Sequence, residues 1–108
     1  MDRKTQDRYA RVLEQAVLMV LEGKVRSSVH SEQRRTLRDI EVADAEAAIL
    51  GRDAKIVGLN PAHPEGTTFE VAGRRANGDV IRVVIAFDTE DLDQVTMMTV
   101  VTVMYPYR

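Results

Sequence analysis

Residues 68–87, TFEVAGRRANGDVIRVVIAF, decide the fold of the second half of this chain. Asn77-Gly78 is the strongest turn signal in the sequence, because this dipeptide favours the type I′ turn that joins two antiparallel strands. The segments on either side, Thr68–Arg75 and Val80–Phe87, are rich in residues that favour β-strands. We therefore predict a β-hairpin with a two-residue turn.

The register of this hairpin decides where its arginines lie. A two-residue turn pairs Arg75 with Val80 and puts Arg75 and Arg82 on one face, with Arg74 on the other. Arginine side chains match phosphate oxygens well, so these three are candidate contacts for an RNA backbone. Charged hairpin tips are also routine on protein surfaces, and the residues alone leave both interpretations open.

The remaining segments predict helices first and strands afterwards. Helical spacing of apolar residues predicts helices at Asp2–Leu21, Val29–Arg38 and Val42–Leu50. Strands are predicted at Ala54–Leu59 and Val95–Tyr105 besides those of the hairpin, and the stretch 24–28 is predicted as a short extended entry to the second helix. The fold class is therefore predicted as α+β, with N-terminal helices packed on one face of an antiparallel β-sheet of about four strands.

Composition limits the classes of protein to which this chain can belong. Its 108 residues, 44% of them hydrophobic, fit a single globular domain over 1–108 with a modest core. The absence of cysteine excludes disulfide and thiol chemistry. Since neither a membrane-spanning run nor a signal-peptide pattern is present, we expect a cytoplasmic protein with no membrane partner. A net charge of −2 gives no overall attraction to nucleic acid.

A local basic segment stands out against that average. Between Lys24 and Arg38 five residues are basic and one is acidic, whereas Asp39–Leu50 carries four acids and no base. On a helix, His30, Arg34 and Arg38 follow one another at steps of four and share one face. Histidine exchanges protons near neutral pH and arginine binds phosphate oxygens, which are the groups that a metal-independent ribonuclease needs. The alternative is a solvated charged face, with Arg38 paired to the acids that follow it.

A few further residues complete the set of candidates. Thr102 and Tyr105 lie on the last predicted strand and would offer hydroxyl groups, although both residue types are also common in strands. His63, in the loop PAHPEG at 61–66, is interpreted as an ordinary loop residue. Because the two histidines are far apart and cysteine is absent, we expect no metal site and no cofactor.

The stretch 29–50, VHSEQRRTLRDIEVADAEAAIL, resembles the signature of the domain-of-unknown-function 4258 family. That signature has a histidine, two arginines at steps of four, an isoleucine, a short acidic stretch and an apolar helix. The matching positions here are His30, Arg34, Arg38, Ile40 and 41–49. The family's second half resembles VIRVVIAFD at 80–88 and VVTVMYP at 100–106. The resemblance covers 24–106 and leaves the N-terminal helix, 1–23, outside.

This resemblance implies a fold and an activity. The family is similar to the RelE and barnase-like group of small α+β folds, many of which are metal-independent endoribonuclease toxins. It implies His30 as general acid or base and Arg34 and Arg38 on the phosphate, with Thr102 and Tyr105 as helpers on the sheet. These roles come from fold analogy, which by itself is a weak guide to function.

Two functions are therefore expected as alternatives. The first is a toxin-type domain that cleaves or binds RNA, with Arg74, Arg75 and Arg82 as RNA contacts. The second is a non-catalytic protein-interaction module on the same fold. The corresponding partners are RNA, a protein such as an antitoxin, or a second copy bound through the N-terminal helix.

Overall fold

Two α-helices and one β-sheet, with a short 3-10 helix at Leu92–Gln94, make up the part of the chain that the computed structural model describes, residues 2–28 and 35–105 without the side chains of 35–40. The helices are α1 (Arg3–Leu21) and α2 (Arg35–Leu50), and the strands are β1 (Val25–Ser27), β2 (Lys55–Asn60), β3 (Thr68–Arg74), β4 (Val80–Phe87) and β5 (Met98–Met104). The strands lie in the order β1-β5-β4-β3-β2. The predicted α+β class is confirmed.

The sheet is mixed and has five strands, so the prediction of about four antiparallel strands is wrong. The additional strand is β1, which pairs parallel with β5 and places Val25 opposite Met98. Backbone bonds continue this pairing at both ends, from Ser28 N to Val100 O and from Met98 N to Lys24 O. A three-residue strand is too short for a periodic pattern, which is why the sequence indicated only an extended entry.

Within the described residues, the helices differ from the prediction in extent, and residues 29–34 of the predicted second helix lie outside that part of the chain. α1 is confirmed, and the Asp2 carboxylate caps it by accepting a bond from Thr5 N at 2.7 Å. α2 runs without a break from Arg35 to Leu50, where the sequence predicted one helix ending at 38 and another starting at 42. No glycine or proline interrupts this segment, so nothing in its backbone chemistry ends the helix. Neither helix of the described chain is long and apolar enough to cross a membrane.

The hairpin turn is longer than predicted. Arg75 N donates to Asp79 O and Gly78 N donates to Arg75 O, so residues 76–78 form a three-residue loop. A type I′ turn needs positive φ at both central residues, but only Gly78 has it, at 92°, and Asn77 does not. The Asn-Gly signal therefore located the turn correctly and gave the wrong turn type.

The longer loop shifts the register of β3 against β4 by one residue. Arg74 pairs with Val80, and Ala72 pairs with Arg82. Arg74 and Arg82 consequently share one face of the sheet, and Arg75 lies in the turn. This corrects the prediction that Arg75 and Arg82 share a face.

Buried side chains from both helices and from the strands form one apolar cluster. The helical members are Val12, Ala16 and Met19 of α1 and Ala45, Ala48 and Ile49 of α2, and the central strand members are Val71, Val83 and Ile85. Two leucines that helical spacing places on the apolar faces, Leu21 and Leu50, are exposed instead. Each is the last residue of its helix, where fewer neighbours are available to cover it.

α2 passes close to β3 at Gly73. A Cβ atom at this position would lie 2.6 Å from the Ala48 carbonyl oxygen and 3.0 Å from the Ala48 Cβ. Only a residue without a side chain lets the helix backbone come so near to β3. The two small residues, Gly73 and Ala48, therefore set the spacing between α2 and β3.

Strand residues that alternate with the core positions form a surface that we call the second face. On the three central strands it consists of Thr68, Glu70, Ala72 and Arg74 of β3, Val80, Arg82, Val84 and Ala86 of β4, and Thr99, Thr102 and Met104 of β5. Arg26 lies opposite Thr99, and Lys55 lies opposite Ala72, so these two basic residues extend the second face to the outer strands.

Asp88 fixes the connection between β4 and β5. Its carboxylate accepts bonds from Thr96 N at 2.9 Å, from Met97 N at 3.1 Å and from the Thr96 hydroxyl. These bonds, led by the one from the Thr96 hydroxyl, lower the pKa of Asp88 to about 2. The ionised form of Asp88 is therefore part of the folded structure.

The spacing between α2 and β3 can be tested by adding one methyl group. We expect Gly73→Ala to lower the free energy of unfolding by about 1–3 kcal/mol, because the new Cβ overlaps the Ala48 backbone. Gly58→Ala is the matched control on the neighbouring strand, where the nearest atom to a new Cβ is Glu70 Oε2 at 4.0 Å. Chemical denaturation of both variants measures the effect. Equal stability of the two variants would contradict the close approach.

The Asp88 bonds predict a pH dependence of stability. The pKa of Asp88 in the folded protein lies below its ordinary value of 3.8, so the stabilisation is complete above that value and is lost as the pH falls toward about 2. We expect Asp88→Asn to be less stable than the wild type at pH 7, with the difference shrinking as the pH falls through this window. Thr96→Val, which removes one donor, should show part of the effect. A difference that is constant with pH would refute the role of the charge.

Candidate functional site

A groove on the second face brings together polar groups from the loop after β2 and from the three central strands. Its volume is about 310 Å³, and its lining includes Asn60, His63, Thr68, Glu70, Val84 and Thr102. Thr102, one of the predicted site residues, lies in this lining, and its chemical role remains a prediction. His63, interpreted from the sequence as an ordinary loop residue, lies in the same groove.

The loop 61–66 holds His63 by its backbone and by its ring. Ala62 N donates to Asn60 Oδ1 at 3.0 Å, Glu65 N donates to His63 Nδ1 at 3.0 Å, and Gly66 N donates to His63 O at 2.9 Å. Because Nδ1 accepts a bond, the neutral ring carries its proton on Nε2. His63 is therefore set up as a hydrogen-bond donor through Nε2.

Glu70 and Arg82 form an ion pair beside this groove. The distance from Arg82 Nη1 to Glu70 Oε2 is 3.7 Å, and the two side chains are 46% and 35% exposed. Pairing across the sheet puts Glu70, Val84 and Thr102 in one row, with the carboxylate and the hydroxyl two strands apart. Neighbouring strands lie about 4.8 Å apart, so these two residues are separated by about 10 Å. That spacing suits contacts to different groups of one extended ligand.

Tyr105 and Arg75 meet at a different place, around Asp44 of α2. Tyr105 Oη donates to Asp44 Oδ2 at 3.0 Å, and Arg75 Nη1 lies 3.5 Å from the same oxygen. The Arg75 guanidinium also stacks 5.1 Å from the centre of the Tyr105 ring and binds Asp79 at 3.1 Å. Burial, followed by the bond to Asp44, raises the pKa of Tyr105 to about 12. The Tyr105 hydroxyl therefore stays protonated near neutral pH and holds the hairpin turn against α2.

The predicted catalytic residues are only partly described. His30 and Arg34 lie outside the described residues, and Arg38 lies in α2 with its side chain outside them. The structure separates the two predicted helpers, since Thr102 lines the groove and Tyr105 belongs to the Asp44 cluster. The roles predicted for His30, Arg34 and Arg38 stay predictions.

The three predicted RNA-binding arginines are each close to a carboxylate. Arg74 Nε binds Asp53 Oδ2 at 2.8 Å, Arg75 binds Asp44 and Asp79, and Arg82 faces Glu70. Arg74 and Arg82 lie on the second face with exposed side chains, whereas Arg75 is partly buried in the turn. Two of the three therefore lie where an extended ligand on the second face would meet them.

Sequence reasoning missed His63 and Glu70 as members of one groove. Glu70 follows the alternation of β3, in which Phe69 and Val71 are buried, and that alternation was a usable signal for the second face. For His63 no local signal existed, because the path of the loop 61–66 over the sheet depends on tertiary contacts. Among residues 2–28 and 35–105, no group of three or more histidine or acidic residues has the arrangement of a metal site.

Comparisons with known proteins add no relative for this chain. No protein-family model matches it, and no curated protein and no solved structure is found to be similar to it. The resemblance to the domain-of-unknown-function 4258 family therefore rests on the quoted motif alone, and the function must be argued from the described residues.

Proposed function

We propose that this domain binds single-stranded RNA on the second face of its sheet. The observation that carries the proposal is the local charge of that face. In a protein with a net charge of −2, its strand residues include four exposed cations, Arg26, Lys55, Arg74 and Arg82, and a single carboxylate, Glu70. A basic surface of this kind attracts a phosphate backbone even when the whole protein is slightly acidic.

Apolar side chains between these cations favour a single strand over a duplex. Val80 and Met104 are 46% and 41% exposed, and Val84, which lines the groove, is partly exposed. Unpaired bases can lie on such a surface, whereas paired bases in a duplex cannot reach it. The second face thus offers both charge for the backbone and apolar area for the bases.

The groove supports binding of RNA more directly than cleavage. His63 Nε2–H and the Thr102 hydroxyl are donors that suit phosphate oxygens or a ribose 2′-hydroxyl. Cleavage through a cyclic phosphate needs one group that removes the 2′-hydroxyl proton and another that protonates the departing 5′-oxygen. Glu70 suits the first role, but its carboxylate already faces Arg82, and Nδ1 of His63 is already occupied by the bond from Glu65 N. We therefore propose binding as the function of this groove.

Fluorescence anisotropy with a labelled single-stranded RNA of mixed sequence tests the proposal. The variant Arg26→Gln/Lys55→Gln/Arg82→Gln should bind at least about tenfold more weakly than the wild type, a loss of about 1.4 kcal/mol. If these cations contact three phosphates, affinity should depend less steeply on salt in this variant. The slope of log affinity against log salt should become less negative by about 2 units. The matched control, Arg3→Gln/Lys4→Gln/Arg52→Gln, removes the same charges away from the second face and should bind within about twofold of the wild type. Equal losses in the two variants, or no saturable binding by the wild type, would refute the proposal.

Cleavage is tested separately on the same RNA, since the chain has two histidines and each can be replaced. If the sequence prediction for His30 is correct, His30→Gln abolishes cleavage while the thermal midpoint and RNA affinity change little. If the groove only binds RNA, His63→Gln weakens affinity and leaves any cleavage at saturating RNA unchanged. Wild-type protein that binds RNA and does not cleave it would exclude the catalytic prediction and leave the binding proposal intact.

A further inference from the structure

A second and larger groove lies away from the second face. It has a volume of about 760 Å³ and runs between the first half of α1 and the segments 65–69 and 87–93. Pockets of several hundred cubic ångströms commonly hold small ligands or side chains of a partner. The only residue that it shares with the RNA proposal is Glu65, whose backbone N donates to His63, so it is a separate candidate site.

Two phenylalanines contribute to this groove. Phe69 is 4% exposed and Phe87 is partly exposed, and their ring centres are 6.1 Å apart with the planes tilted by 44°. The guanidinium of Arg8 lies 5.7 Å from the centre of the Phe69 ring. Aromatic faces attract cations, and Arg8 shows that a guanidinium reaches this one.

The groove is negatively charged. Its lining includes three basic residues, Lys4, Arg8 and Arg11, against six carboxylates, Asp7, Glu65, Asp88, Glu90, Asp91 and Asp93. Arg11 is already paired with Asp93 at 2.9 Å, and Glu90 accepts a bond from the Thr67 hydroxyl at 2.8 Å. The low pKa of Asp88 keeps that carboxylate ionised across the physiological range. An excess of negative charge therefore surrounds an aromatic surface.

We propose that this groove binds arginine side chains on an exposed segment of a partner protein. A guanidinium satisfies both features of the groove, since its flat face stacks on aromatic rings and its edges donate to carboxylates. Within the protein itself, the guanidinium of Arg8 already makes this stacking contact with the Phe69 ring. The same carboxylates repel RNA. The acidic groove therefore takes a cationic ligand, and the second face takes an anionic one.

Binding of a fluorescein-labelled peptide of alternating arginine and glycine to the full chain tests this site. Glu90→Gln/Asp91→Asn keeps an acceptor oxygen at each position and should weaken binding at least about tenfold. Glu14→Gln/Asp53→Asn is the matched control, which removes one Glu and one Asp charge outside the groove and should leave affinity within about twofold. Thermal melts of both variants establish that they are folded. Equal losses in the two variants, or no saturable binding by the wild type, would overturn the proposal.

Arg8 gives a second and opposite test. Arg8→Gln removes the guanidinium that lies over the Phe69 ring and should therefore strengthen binding of the arginine peptide. The gain should exceed that of the control Arg52→Gln, which removes the same charge outside the groove. A peptide with lysine in place of arginine should bind more weakly than the arginine peptide, because an ammonium lacks the flat face. Equal gains in the two variants, or equal affinity for the two peptides, would overturn a site built for guanidinium. RNA affinity should not change in Glu90→Gln/Asp91→Asn, which separates this site from the proposed RNA surface.

Discussion

The pairing register of β3 against β4 determines which side chains reach each face of the sheet. The loop at 76–78 sets this register, and with it Arg82 lies opposite Ala72 and Val84 lies opposite Glu70. A slip of one residue would move every side chain of one strand to the other face, burying Arg82 and exposing Val83. The apolar cluster, the groove and the basic second face therefore all depend on one short turn with a left-handed glycine at its end.

The sequence predicted those parts of the fold that have local signals. The hairpin strands, α1 and the position of the turn followed from alternation, helical spacing and Asn77-Gly78. The type of turn, the strand β1 and the continuity of α2 did not. β1 is defined by its pairing with β5 rather than by local preference, whereas the unbroken α2 agrees with a segment that contains no glycine or proline. Of the groove residues, Thr102 was a candidate from the sequence for a catalytic role that stays a prediction, and His63 was interpreted as an ordinary loop residue. The position of His63 depends on how the loop 61–66 crosses the sheet, and no residue pattern encodes that path.

The small net charge of the protein conceals two surfaces of opposite sign. Exposed arginine and lysine side chains extend across the second face, and carboxylates surround the groove beside α1. At moderate salt a charge acts over about 10 Å. A ligand near one surface is therefore attracted or repelled mainly by the charges of that surface. A net charge near zero therefore does not argue against RNA binding here, and it is compatible with a basic partner at the other groove.

The parallel pairing of β1 with β5 has a consequence for how the protein acquires its structure. The bond from Arg26 Nε to Thr99 Oγ1 joins residues 73 positions apart, and the strand pairing around it spans a similar distance. Contacts of such long range are costly to close and slow folding. During synthesis, β1 leaves the ribosome well before its partner β5 exists, and the edge of the sheet at β4 stays unpaired until β5 is made. For that interval the nascent chain presents an unpaired strand, and chaperone binding at this stage would protect it from aggregation.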